Sequence, residues 1–447
     1  KQKTAYEIMP SLVGSEMCIR DSLGCVREKP EVPTTTIEES LPNEIKIGIV
    51  APLTGGASTT GNDMWEAAEL AAEEINAKGG VDINGKKVKI RLIKGDTETN
   101  PQQGVKAVTK LITEDKVDLL VGGFSSAITY ADQVVAAENK VPFIITGASS
   151  PIITRRKDID TSYFFHHCPT TDDYPVATLI FVDEVVRPAI NKRFNFSEDR
   201  KLRLGILYQD GKYGEGVYKG VIKAINDYNL SMEIVDVEKF KRSETDYRTV
   251  LTALKAAKVD VVYPAAFLNE QIPIIVQGRK DIGLNTIYLS VECNDDPDYY
   301  TGVGKWGEYS IQESRFGPYV IPSGSIKARV EKFRKDFESK YGSPPSMMGA
   351  STYEGIYIAA KAIENAKSLD KDKIRDALNK LEMDEIVETM QGGKIRFSDD
   401  YRESKFQLYM QQLIWDDKIG ETRPVIVWPD NLKEKNFVLP EWYEPGI

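Results

Sequence analysis

Gly122-Gly123-Phe124-Ser125-Ser126 follows a hydrophobic run and opens a helical pattern. Small residues there let a ligand approach the backbone. Two hydroxyls and the first free N–H groups of a helix offer a nest for an anion such as a carboxylate. Thr146-Gly147-Ala148-Ser149-Ser150-Pro151 makes a second corner of the same kind. Gly211 to Gly216 opens another helix, and its Tyr213 can lay an aromatic face against apolar atoms or an ammonium. Glu292 lies just past the predicted strand 286–290. A carboxylate at a strand end can pair with a ligand cation. Asp295, Asp296 and Asp298 lie nearby, and only its location separates Glu292 from them. Together these groups suggest a site that grips a small polar molecule without transforming it.

Catalytic chemistry finds little support. Ser125, Ser126 and Ser149 lack an available histidine base in a chain with two histidines. There is no G-x-S-x-G elbow and no G-x-x-x-x-G-K-[ST] phosphate loop, and the glycine spacing at 211–216 is not that of a dinucleotide fold. His166-His167-Cys168 invites a zinc reading. Neighbours at a strand end point to opposite sides, however, and no partner ligands stand at short spacing. The segment reads instead as a loop near a crossing between lobes, so neither a metal nor a cofactor is expected.

The net charge of -10 is spread along the chain and argues against a nucleic-acid partner, which would want a basic face. Four cysteines are too few for a disulfide scaffold, and a Cys168–Cys293 bond would need the fold to bring two distant strand ends together. No apolar run reaches the ~18 residues needed to span a bilayer.

The elements that must position these loops alternate. A strand at 45–50 is followed by a helix at 65–76 that ends at Gly79-Gly80, and then by a strand at 88–93. Helix 102–114, strand 117–121, helix 127–139 and strand 141–145 complete a first unit. The rhythm restarts with strand 202–208, helix 215–227, strand 231–237, helix 246–257, strand 260–264, helix 270–279 and strand 286–290. Helices at 325–341, 353–366 and 371–382 and strands at 392–397, 407–415 and 424–428 follow. Strands alternating with helices on short loops mean parallel sheets covered on both faces, with ligands outside the strand carboxyl ends. The helices of the last third can return to the first unit while its strands complete the second.

Residues 1–24 show no periodicity, and Ser11 to Asp21 resembles translated sequencing-adapter text, so they carry no fold signal. Leu23-Gly24-Cys25, followed by a polar stretch with three prolines (Pro30, Pro33 and Pro42) and a threonine triplet, looks like a lipoprotein cleavage site and its tether. Cys25 is therefore a candidate lipid anchor. Leu23 stands one place too close to the cysteine for the usual pattern.

The order and spacing of these motifs resemble the branched-chain amino-acid binding proteins of ABC importers, over about residues 44–435. The likeness rests on Ala51 to Gly55 with Gly61, Glu73 to Gly80, Asp96, Gly122 to Ser126, Pro142 to Pro151, Tyr213 to Gly216 and Tyr353 to Gly355. It implies the α/β, two-lobed type I periplasmic-binding fold, with a parallel-rich sheet in each lobe and a hinge of several crossovers. The expected division is 1–43 leader and linker, 44–168 plus 305–390 first lobe, 169–304 plus 391–435 second lobe, and 436–447 tail. The resemblance implies that Ser125, with Ser126 beside it, binds an α-carboxylate. It implies that Gly147 and Ser149, flanking Ala148, hold ammonium and carboxylate, that Tyr213 and Phe267 supply aromatic walls, and that Glu292 pairs with the ammonium. Thr60 stands where leucine-type binders commonly place a tryptophan, which points to a changed side-chain preference. The implied function is extracytoplasmic, in the periplasm or on the outer face of the membrane. There the protein would capture a small amino acid or analogue and deliver it to importer permease subunits. Alternatives are a ligand-sensing module, a binder of an amide, urea or small organic acid, and a two-lobed enzyme.

Overall fold

The computed structural model describes residues 43–242 and 244–447, so the adapter-like stretch, the linker and Cys25 lie outside the described residues. Six strands build a first sheet: β1 (Glu44–Ala51), β2 (Val81–Ile83), β3 (Lys86–Asp96), β4 (Leu119–Gly122), β5 (Phe143–Ile145) and β6 (Phe164–His166). Their order is β2-β3-β1-β4-β5-β6. All neighbours are parallel except the β2–β3 hairpin. β1, β4 and β5 are apolar almost throughout and buried, as strands covered on both faces must be.

The second sheet starts with β7 (Leu202–Gln209), β8 (Met232–Phe240), β9 (Val261–Ala265), β10 (Ile287–Ser290) and β11 (Ile311–Ser314). After the ribbon of β12 (Glu382–Asp384) and β13 (Lys394–Arg396), it is completed by β14 (Tyr409–Asp416) and β15 (Glu421–Trp428), in the order β15-β14-β11-β10-β9-β7-β8. β11 pairs in parallel with β10 and antiparallel with β14, which corrects the expectation that 305–390 returns whole to the first lobe. Ile311-Gln312-Glu313-Ser314 hides as a strand because its polar side chains are all buried at the lobe junction. The segment Lys394–Arg396 joins the small ribbon rather than the large sheet, a second correction.

Three passages of chain connect the lobes: after β6, after β11, and between the ribbon and β14. The helix Met347–Ala366 returns to the first sheet, where Gly355 lies close to Val121 and Thr146. The tail folds onto the second lobe, with Tyr443 Oη donating to the Asp260 carbonyl at 3.1 Å and the Gly446 N–H to Asp260 Oδ1 at 2.8 Å. Among the described residues no helix is long and apolar enough to cross a membrane.

At two loops the backbone itself demands glycine. Gly122 has φ +120°, and a Cβ there would stand 2.3 Å from the Val50 carbonyl oxygen; Gly123 has φ +78° and donates its N–H to that carbonyl at 2.7 Å. A Cβ on Gly214 would meet the Gln209 carbonyl oxygen at 2.0 Å, so the helix Lys212–Asp227 can press against the end of β7 only with glycine there. Gly214→Ala should destabilise the protein by about 1–3 kcal/mol through overpacking against rigid backbone, measured by urea denaturation. An unchanged midpoint would contradict this packing.

Candidate functional site

The loops singled out in the sequence sit at strand carboxyl ends: 122–126 after β4, 146–151 after β5, 210–213 after β7, 266–267 after β9 and 291–294 after β10. From the first lobe, Ser125 stands at the N-terminal boundary of the helix Ser126–Glu138, and its side chain makes no capping bond, which leaves the hydroxyl free for other work. The neighbouring Ser126 hydroxyl accepts the Ser150 N–H at 3.1 Å and so ties the two loops together. Ser149 Oγ accepts from Tyr174 Oη at 2.5 Å. The Ala148 carbonyl is taken by His166 Nε2 at 2.6 Å. Gly147 leaves room for Met348, whose terminal methyl would be 2.2 Å from a Cβ.

From the second lobe, Tyr213 stacks on Phe267 at 5.0 Å between ring centroids, and Phe267 meets Phe124 of the first lobe at 4.9 Å. Tyr213 Oη lies 3.9 Å from Cys293 Sγ, next to Glu292. Burial raises the Tyr174 hydroxyl well above its ordinary range, and the Glu292 charge adds to the effect. Direct contacts thus join Phe124, Phe267, Tyr213 and Cys293, and separately Tyr174 and Ser149. Thr60 is buried in the first turn of the helix, which begins at Ser58. Asp295 is occupied by Tyr300 and Gln411, and Asp296 caps the helix Pro297–Val303, which distinguishes both from Glu292. Cys168 and Cys293 are both free thiols.

Buried charges surround Glu292. Arg315, fully buried at the end of β11, donates Nη1 to Glu292 Oε2, Nε to Glu388 Oε1 at 2.6 Å and Nη2 to Ser351 Oγ at 2.6 Å. Its guanidinium lies over the Phe406 ring at 4.7 Å. Glu388 Oε2 lies 3.4 Å from His167 Nε2, which also reaches Glu354 Oε2 at 2.9 Å. Glu354 Oε1 accepts the backbone N–H groups of Ile386, Val387 and Glu388. The chain Glu292–Arg315–Glu388–His167–Glu354 therefore pins all three passages between the lobes. His167, Glu354 and Glu388 have spacing that suits a metal, with donor atoms within 4.8 Å of one another. Arg315 and the backbone already engage these carboxylates, and an imidazolium fills the centre, so the residues present fit an ion network better than a metal.

Burial pushes the Glu292 carboxyl up to about 7, against the opposing pull of Arg315. His167 is raised: burial opposes its charge, but Glu354 and Glu388 outweigh it. Between the lobes, Pro52, Thr97, Thr99, Phe124, Ser125, Thr129, Asp132 and, from the second lobe, Arg242 close on one another and leave no room for a water molecule. A wider groove near Asp173, Lys405 and Trp428 lies open to solvent.

With this geometry in place, comparison with known proteins is decisive. The periplasmic binding protein family matches residues 44–418. The chain belongs to that family. An amino acid binding protein of Pseudomonas aeruginosa is 27% identical over 84% of this chain and 91% of its own length. Leu/Ile/Val-binding protein homolog 7 of Brucella abortus is 24% identical over 89% of this chain and 94% of its own. Among solved structures, LivJ of Streptococcus pneumoniae in complex with isoleucine superposes with a TM-score of 0.71 at 23% identity, covering 86% of this chain and 100% of that one. A solute binding protein of R. palustris in complex with benzoate has a TM-score of 0.69 at 17% identity, covering 87% and 99%. This periplasmic binding protein is a non-catalytic, extracytoplasmic substrate-binding component that delivers a small ligand to an ABC importer.

Two predictions follow from the ion network. Arg315→Met should cost about 3–5 kcal/mol, because it strands Glu292 and Glu388 as buried carboxylates with their shared counter-charge gone; chemical denaturation checks this. His167 holds its proton more tightly folded than unfolded. Its contribution is therefore complete below the unfolded value of 6.5 and is lost as pH rises through the higher folded value. His167→Gln should make the fall in stability as pH rises above the unfolded value of 6.5 shallower than in the native protein. An equal slope in both would contradict a charged His167.

Proposed function

We propose that the ligand is a small α-amino acid or close analogue held between the two lobes. The observation that carries this reading is the pairing of an unspent Ser125 hydroxyl at a helix N-terminus with Glu292 and the Tyr213–Phe267 stack on the opposite side of the junction. A zwitterion needs an anion nest and a separate carboxylate. With one on each lobe, only the closed form satisfies both ends, so ligand stabilises closure. Glu292 serves with the oxygen that Arg315 does not take, and Arg315 holds its carboxylate in position. Tyr174 fixes the Ser149 hydroxyl in the same way. The Pseudomonas aeruginosa relative is an amino acid binding protein, which supports this reading. A lipid tether at Cys25 would keep the protein near the permease subunits with which it is proposed to dock.

Ser125→Ala should weaken binding of the best amino-acid ligand by about 1–3 kcal/mol, the cost of an unmet hydrogen bond to a charged group. Titration calorimetry with the ligand that most raises the melting temperature is the measurement. Unchanged affinity would remove Ser125 from the site.

A further inference from the structure

The lobes also meet through a pair of residues that belongs to none of the candidate ligand groups. Tyr130 lies on the first-lobe helix Ser126–Glu138, and Lys212 is the first residue of the second-lobe helix Lys212–Asp227. Lys212 Nζ stands 3.9 Å from the centroid of the Tyr130 ring. Both residues are partly buried. Among the described residues Lys212 has no carboxylate within ion-pair distance, so the ring of the opposite lobe is what meets its charge. A cation at the first position of a helix faces the positive end of the helix dipole, which disfavours it. Lys212 therefore does not serve its own helix. The ring, in turn, is held from its own lobe. Arg156 lies 3.9 Å from the same centroid and donates Nη1 to the Tyr130 carbonyl at 2.7 Å. Arg156 Nε donates to Asp158 Oδ1 at 2.8 Å, and this carboxylate offsets the arginine charge. A second cation can then approach the ring without an uncompensated like charge beside it.

We infer that Tyr130 and Lys212 form a clasp that holds the lobes together independently of what lies in the cleft, with Arg156 as the residue that positions the ring. The clasp adjoins the other aromatic crossing. Tyr213, next to Lys212 in the chain, stacks on Phe267, which meets Phe124 of the first lobe at 4.9 Å. Opening the lobes must separate both contacts. A contact made only in the closed form, and not with ligand, shifts the balance of open and closed forms before any ligand binds. It scales the apparent affinity for every ligand by the same factor and confers no selectivity. Selectivity belongs to the groups on the cleft walls. The clasp does not depend on the ligand being an amino acid, so its failure and the failure of that reading are separate results.

The test is small-angle X-ray scattering of the full chain, dialysed free of amino acids and fitted as a mixture of open and closed forms. Tyr130→Leu and Lys212→Met should each raise the open:closed ratio ~3–10-fold, the range expected for a partly desolvated cation–π contact. The double variant should lie within ~2-fold of either single one, because all three lose the same contact. Lys212→Arg keeps a cation over the ring and should stay within ~2-fold of the native protein. A merely structural role for the two residues would not move the ratio. Unchanged scattering in the two single variants, independent effects that multiply in the double variant, or opening by Lys212→Arg as large as by Lys212→Met would overturn the clasp. So would a native protein that is fully open without amino acid.

Discussion

Buried charge at the lobe junction is the constraint on which the rest of this structure depends. Two lobes that move against each other need connections that bend yet return to one geometry. Here the three passages converge on Arg315 and His167, each held between carboxylates. Charges removed from water are costly singly and tolerable only when they are paired and hydrogen-bonded. Glu354 meets that demand by accepting three consecutive backbone N–H groups from the loop at 386–388, between β12 and β13. The network fixes where that loop runs, and therefore where Glu388 meets Arg315.

The ligand site grows out of the same arrangement. Glu292 is a member of the network and the sequence neighbour of Cys293, which meets Tyr213 of the aromatic stack. Its environment links the hinge to this loop, because Arg315 holds one of its oxygens. The Phe124–Phe267 contact gives the closed form an apolar bridge independent of these charges. Closure thus draws on both apolar contact across the junction and completion of polar half-sites, and only the second depends on which ligand is present.

Much of the fold was legible because parallel strands and covering helices impose opposite periodicities, and glycines mark the loops at strand ends. Gly122 and Gly123 marked the loop after β4, and Gly214 the start of a helix; the close backbone approaches at all three emerge only from the structure. β11 was illegible because Gln312, Glu313 and Ser314 look like a solvated loop, and nothing local shows that they are buried between lobes. Arg315 and Glu388 were missed for the same reason: their partners lie tens of residues away, and an isolated charged residue in a sequence reads as surface. The first helix starts at Ser58, earlier than the apolar pattern suggests.

The most direct test of the central claim is a crystal structure of the protein with the amino acid that most raises its melting temperature. The account predicts that ligand lies between the Ser125 loop and the Tyr213–Phe267 stack, with its carboxylate at the nest and its ammonium at Glu292, and that the Arg315 network is intact. Ligand bound in the open groove beside Lys405 and Trp428, or a closed liganded form in which Glu292 turns away from the cleft, would contradict it.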